Sequence, residues 1–100
     1  MFSQETCKSC DAFDQNKKVD APNVLSEIIR DIKEGIEQRI LTEVEIDKLK
    51  YSEAFDLVSI EGPWNDIVLN YFECIACKKK FKLFANTYQG SPKNGWYTNI

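Results

Sequence analysis

Four cysteines stand in two pairs of identical spacing, Cys7-Lys8-Ser9-Cys10 and Cys74-Ile75-Ala76-Cys77, with 63 residues between the pairs. A Cys-x-x-Cys turn aims both sulfurs at one point, because a two-residue gap lets the backbone wrap round an ion. Two such turns supply four thiolates at tetrahedral positions, the ligand set of a structural Zn²⁺ site. Soft thiolates favour zinc over magnesium or calcium, and iron in a rubredoxin-like site uses the same ligands. Closing a loop of this length costs roughly 3.7 kcal/mol. Structural zinc contributes on the order of 10–16 kcal/mol in small peptides. A shared metal therefore outweighs the closure cost and ties the N-terminus to the last quarter of the chain. The expected ligands are Cys7, Cys10, Cys74 and Cys77, and the expected cofactor is structural Zn²⁺.

Two other uses of four cysteines are weaker. A disulfide framework needs an oxidising compartment. The opening residues, "MFSQETCKSC", lack the basic start, apolar centre and cleavage site of a secretory signal. No apolar run approaches the roughly 20 residues of a membrane span. The sequence thus points to a reducing cytoplasm. A thiol redox motif of the thioredoxin kind would place Cys-x-x-Cys at the start of a helix. Here Cys77 leads into "KKKFKLFANTY", which reads as a strand, and a second pair exists.

"CKSC" and "CIAC" resemble zinc-ribbon or rubredoxin-type knuckles. "FECIACKKKFKLF" is similar to the usual ribbon, with Phe72 two residues before its pair and Phe81 four residues after it. The resemblance covers residues 1–10 and roughly 70–85, and it implies metal binding without implying one function. Many knuckles carry glycine soon after the second cysteine, where this chain has Lys78.

Between the knuckles, "VDAPNVLSEIIRDIKEGIEQ" predicts a helix. Asp20 is the expected cap and Pro22 suits the first turn. Val24, Leu25, Ile28, Ile29, Ile32 and Ile36 recur at helical spacing on one face, and Glu27, Asp31, Glu34 and Glu37 lie mostly opposite. The end is expected between Gly35 and Arg39. Ile40, Thr42, Val44 and Ile46 alternate, which suits a strand, although the glutamates around them also tolerate helix. Further strands are expected at Ala54–Ile60, in "DIVLNYFEC", in "KKFKLFANTYQ" and in "WYTNI". Gly62-Pro63 and "GSPKNG" read as turns, the second ending in the hairpin dipeptide Asn94-Gly95. The expected fold is α+β: one amphipathic helix on a small antiparallel sheet, with the paired knuckles joining the N-terminus to a C-terminal hairpin. One zinc-stabilised domain spans 1–100. Its parts are an N-terminal knuckle and linker (1–19), the helix (20–39), and the sheet with the second knuckle (40–100).

The formal charge is −3, unevenly spread. Every acidic residue lies at or before Glu73, and Lys78, Lys79, Lys80, Lys82 and Lys93 follow with no acid among them. Four thiolates and a divalent ion would take the formal charge from −3 to −5. Lys78, Lys79, Lys80 and Lys82 are then expected as a counter-charge for the metal centre. The alternative is a nucleic-acid patch aided by Phe81, Phe84 and Tyr88, which an acidic chain opposes. Trp64 and Trp96 each follow a turn, either capping a small core or standing out as interface anchors.

The chain has no histidine, hence neither the commonest general base nor the commonest metal ligand. It carries no nucleophile elbow, P-loop or zincin motif, and a closed Cys₄ site has no open coordination position. The functional expectation is a non-enzymatic zinc-binding interaction module whose partner is another protein, met by the acidic helix face or a sheet edge. In size and charge alone it is similar to immunity proteins that neutralise toxins. A zinc-ribbon nucleic-acid binder is the alternative.

Overall fold

The computed structural model describes residues 7–45 and 54–100. Its architecture is α+β. Strand β1 (Lys17–Lys18) leads to helix α1 (Pro22–Glu37), then β2 (Leu41–Val44), β3 (Ile67–Cys74), β4 (Lys80–Asn86) and β5 (Gly95–Thr98). The five strands form one sheet in the order β1-β5-β4-β3-β2, with every neighbouring pair antiparallel. Of the alternating positions expected in the first strand, Ile46 lies outside the described residues.

Helix α1 starts one residue later than its predicted cap. Ala21 is the N-cap, extended at φ −156° and ψ 153°, with no side-chain cap bond. Proline at position 22 forces the residue before it out of helical conformation, so the boundary falls there and Asp20 is left outside. The C-terminus closes as a Schellman motif. The Ile40 N–H bonds the Gly35 carbonyl at 2.8 Å and the Arg39 N–H bonds that of Ile36 at 3.0 Å. Arg39 takes the left-handed conformation (φ 65°) that glycine usually fills. Gly35 sits inside the helix instead. A Cβ there would stand 2.8 Å from Cζ of Phe13, so its absence admits the Phe13 ring against the helix.

The helix buries Leu25, Ile28, Ile29 and Ile32 on the expected face. They share the core with inward residues of the sheet: Val68, Phe72 and Cys74 from β3, and Phe81, Leu83 and Ala85 from β4. Burial alternates strictly along β3 and β4, as a sheet with one covered face requires. Trp96 of β5 is only 2% exposed and stacks on Phe81, with ring centroids 5.1 Å apart and planes 13° apart. Its indole N–H donates to the Phe13 carbonyl at 2.8 Å. Trp96 is thus a core residue and offers no exposed anchor. Trp64 is half-buried against the core and its indole N–H donates to Ser59 O at 2.7 Å, closing the loop that contains Gly62 and Pro63.

Two expectations need correction. Ala54–Ile60 is not a strand; Phe55–Leu57 form a 3₁₀ turn. Its buried residues, Phe55 and Val58, are three apart, the period of that turn rather than of a strand. The Glu43 carboxylate accepts the Phe55 N–H at 3.0 Å, taking the place of a sheet partner. Asn94-Gly95 is also not the apex of a hairpin. Gly95 begins β5, where a Cβ would lie 2.6 Å from the Lys17 carbonyl oxygen, so glycine permits the close approach of β1. The connection 87–94 turns at Gly90 (φ 75°). Asn94 binds both backbone groups of Asn86, accepting its N–H at 2.8 Å and donating to its carbonyl at 3.3 Å.

Candidate metal centre

The two cysteine pairs arrive by different local structures. Cys74 is the last residue of β3, and Cys77 lies in the turn that leads to β4. That turn is closed by Cys74 N–H to Lys79 O at 2.8 Å and by Lys78 N–H to Cys74 O at 2.9 Å. Lys78 has φ 69°, so the position where knuckles commonly carry glycine does take the left-handed conformation, filled here by lysine. Cys7 and Cys10 belong to an N-terminal turn followed by a short 3₁₀ segment, Asp11–Phe13, with the Phe13 N–H bonded to Cys10 O at 2.9 Å. Neither pair opens an α-helix, the placement that a thioredoxin-like dithiol would need.

The four sulfurs converge. Cys7 Sγ is 3.9 Å from Cys74 Sγ, Cys10 Sγ is 3.7 Å from Cys77 Sγ, and all four lie within 4.8 Å of one another. Four sulfurs at about 2.3 Å from a central ion stand about 3.8 Å apart in a regular tetrahedron. The Cys7–Cys74 and Cys10–Cys77 separations match that edge length. They are far beyond the roughly 2.05 Å of a disulfide, and all four cysteines are free. Among the described residues this is the one cluster of metal-ligating side chains. The arrangement can hold a tetrahedral metal ion and would leave it no open position.

Burial and hydrogen bonding divide the cluster. Cys10 and Cys74 are fully buried, Cys7 is half-buried and Cys77 is exposed. The Cys10 backbone N–H beside the Cys7 sulfur, helped by that of Ser9, brings the Cys7 thiol down to about 7. Burial pushes the Cys10 thiol well up, and the neighbouring sulfurs add to the effect.

The four lysines do not form one stripe. Lys79 points to the N-terminal segment and meets Asp14 Oδ2 at 2.5 Å. Lys80 and Lys78 both approach Glu73, at 2.7 and 3.7 Å. Lys82 lies over the Tyr97 ring, 5.1 Å from its centroid. Lys79 still senses the cluster: Asp14 raises its pKa most, and Cys10 and Cys77 add to the rise.

Sequence reasoning missed the groups that brace the site. Asp14 accepts from Lys79 and also from the Thr98 hydroxyl at 2.7 Å, and Asn16 Oδ1 accepts the Thr98 N–H at 2.9 Å. These bonds bind the segment after the first knuckle to the β3–β4 turn and to β5 beside the sulfurs. Their partners are 65 to 84 residues apart, so no local pattern marks them. No helix among the described residues is long and apolar enough to cross a membrane. Comparison with known proteins gives no match to a family model, to a curated protein or to a solved structure.

Proposed function

We propose that this chain is a small, non-enzymatic, zinc-stabilised interaction module whose partner is another protein. The observation that carries the zinc reading is the sulfur spacing of 3.7 and 3.9 Å, the edge of a ZnS₄ tetrahedron. The metal's role in this reading is to fasten residues 7–10 to the β3–β4 turn. A small hydrophobic core limits what 100 residues can stabilise without such a fastening.

The binding surface in this reading is the outer face of the sheet. Val44, Tyr71, Lys82 and Tyr97 form one cross-strand row, and Leu69 and Phe84 pair in the next. All six are half-buried on the face opposite the helix. A cluster of aliphatic and aromatic residues around one lysine has the make-up of an interface centre. The acidic outer side of α1, with Glu27, Asp31, Glu34 and Glu37 exposed, has no such apolar centre. Neutralising a toxin is one task such a module performs; small size and acidic charge are what favour it. The test is affinity capture of partners by the chain and by a Leu69→Asp/Phe84→Asp variant with the same metal content and circular dichroism. A stoichiometric protein partner lost with the variant is expected. A partner retained equally by both would contradict the assignment of this face.

Nucleic-acid binding is the second reading, favoured by one observation: Lys82 lies between Tyr71 and Tyr97 on the half-exposed face. The pairing of Lys79 with Asp14 and of Lys80 with Glu73 counts against it. Tight binding of a single-stranded oligonucleotide with a steep salt dependence would make it the better account.

A further inference from the structure

The metal centre has a closed half and an open half. Cys10 and Cys74 are 0% exposed, sealed by the core they belong to. The Cys74 sulfur also accepts the Cys77 backbone N–H at 3.5 Å. Cys7 and Cys77 instead line an open groove of about 550 Å³ with Lys78, Lys79, Lys80 and the last two residues, Asn99 and Ile100. A zinc-bound thiolate keeps much of its nucleophilic character, so access decides which sulfur reacts. Here access is given to one sulfur of each knuckle.

We propose that Cys77 is a modification site, the zinc-bound thiolate at which a soft carbon electrophile or a peroxide first attacks the centre, with a neighbouring thiolate of the cluster resolving oxidation. The proposal rests on the zinc reading above and adds an order of reaction to it. With a maleimide, the Cys77 sulfur bonds to an alkene carbon and the alkene's electron pair takes a proton from water. The neutral thioether is a poor zinc ligand. With hydrogen peroxide, the Cys77 thiolate bonds to one oxygen and hydroxide leaves, giving a sulfenic acid. A neighbouring thiolate of the cluster then displaces a second hydroxide and forms a disulfide with Cys77. Two thiolates are oxidised and one peroxide is reduced to two hydroxide ions.

Loss of the metal by this route need not unfold the chain. The N-terminal segment is also held by Asp14 to Lys79 and Thr98, by Asn16 to Thr98, and by the Phe13 carbonyl to the Trp96 indole. The open half therefore lets the metal tie be released while the remaining ties persist.

The test treats the purified, metal-analysed protein with limiting N-ethylmaleimide and follows labelling by peptide mapping and zinc by a chromogenic chelator. Cys77 should label about tenfold or more ahead of Cys10 and Cys74, with zinc released in step with it. Hydrogen peroxide should first give a disulfide that includes Cys77. A Cys77→His variant keeps a zinc ligand at that position and should lose its metal to maleimide about tenfold more slowly. Equal labelling of all four cysteines, earlier labelling of Cys10 or Cys74, or unchanged metal loss in Cys77→His overturns the proposal while leaving zinc binding intact. Protein isolated with intact thiols that neither contains nor takes up zinc overturns both.

Discussion

The Lys79 ammonium lies 2.5 Å from the Asp14 carboxylate, joining positions 65 residues apart just outside the sulfur cluster. Both side chains are largely shielded, at 23% and 15% exposure. The contact is a second tie between the N-terminal segment and the β3–β4 turn that needs no metal. A double-mutant cycle with Asp14→Asn and Lys79→Met should return a coupling of about 1 kcal/mol, read from denaturant unfolding at fixed zinc. A coupling indistinguishable from zero would show the contact to be incidental.

Zinc uptake should release protons in a pH-dependent way. In the metal-free protein burial keeps the Cys10 thiol protonated throughout the neutral range, so zinc displaces that proton at any pH near 7. Cys7 titrates at about 7. It carries its proton below that value and has lost it above, so uptake at pH 6 should release about one proton more than at pH 8. Affinity therefore rises with pH, and the stability that zinc supplies declines as pH falls. Calorimetric titrations in buffers of different ionisation enthalpy measure the release. A proton count that does not change between pH 6 and 8 would contradict the difference between the two thiols.

Gly35 should show opposite signs in two backgrounds. Alanine is the better helix former by about 1 kcal/mol, but its Cβ would press on the Phe13 ring at 2.8 Å and on Leu41 Cδ1 at 3.3 Å. Gly35→Ala should therefore destabilise the chain by about 1 kcal/mol or more. In a Phe13→Ala background the closer obstruction is gone and only the flexible end of Leu41, at 3.3 Å, has to give, so the same change should be neutral or stabilising by up to about 1 kcal/mol. Thermal unfolding of the four proteins decides it, and the same sign in both backgrounds would count against the contact.

The parts of this molecule that could be read from the sequence are those with a local period or a strict chemistry. The helix face from Leu25 to Ile32 and the alternation of β3 and β4 follow from hydrophobic spacing, and the four sulfurs from Cys-x-x-Cys. Where expectation failed, a partner distant in sequence had overridden local preference. Phe55 turns away from strand because Glu43 takes its N–H. Asn94-Gly95 looks like a hairpin apex, yet Asn94 is spent on Asn86 and Gly95 makes room for the Lys17 carbonyl. The lysine run looked like one patch, but its members divide between Asp14, Glu73 and Tyr97. The clasp of Asp14, Asn16 and Thr98 exists only once β5 and the N-terminal segment are side by side.

The central claim is that one metal ion is held by both cysteine pairs and fastens the first knuckle to the β3–β4 turn. Metal analysis combined with zinc X-ray absorption tests it most directly. The account predicts one zinc per chain with four sulfur ligands at about 2.3 Å, falling to fewer sulfurs when either Cys10 or Cys74 is replaced by serine. Metal-free protein with its thiols intact and no uptake of added zinc, or a zinc ion with only two sulfur ligands, would contradict it.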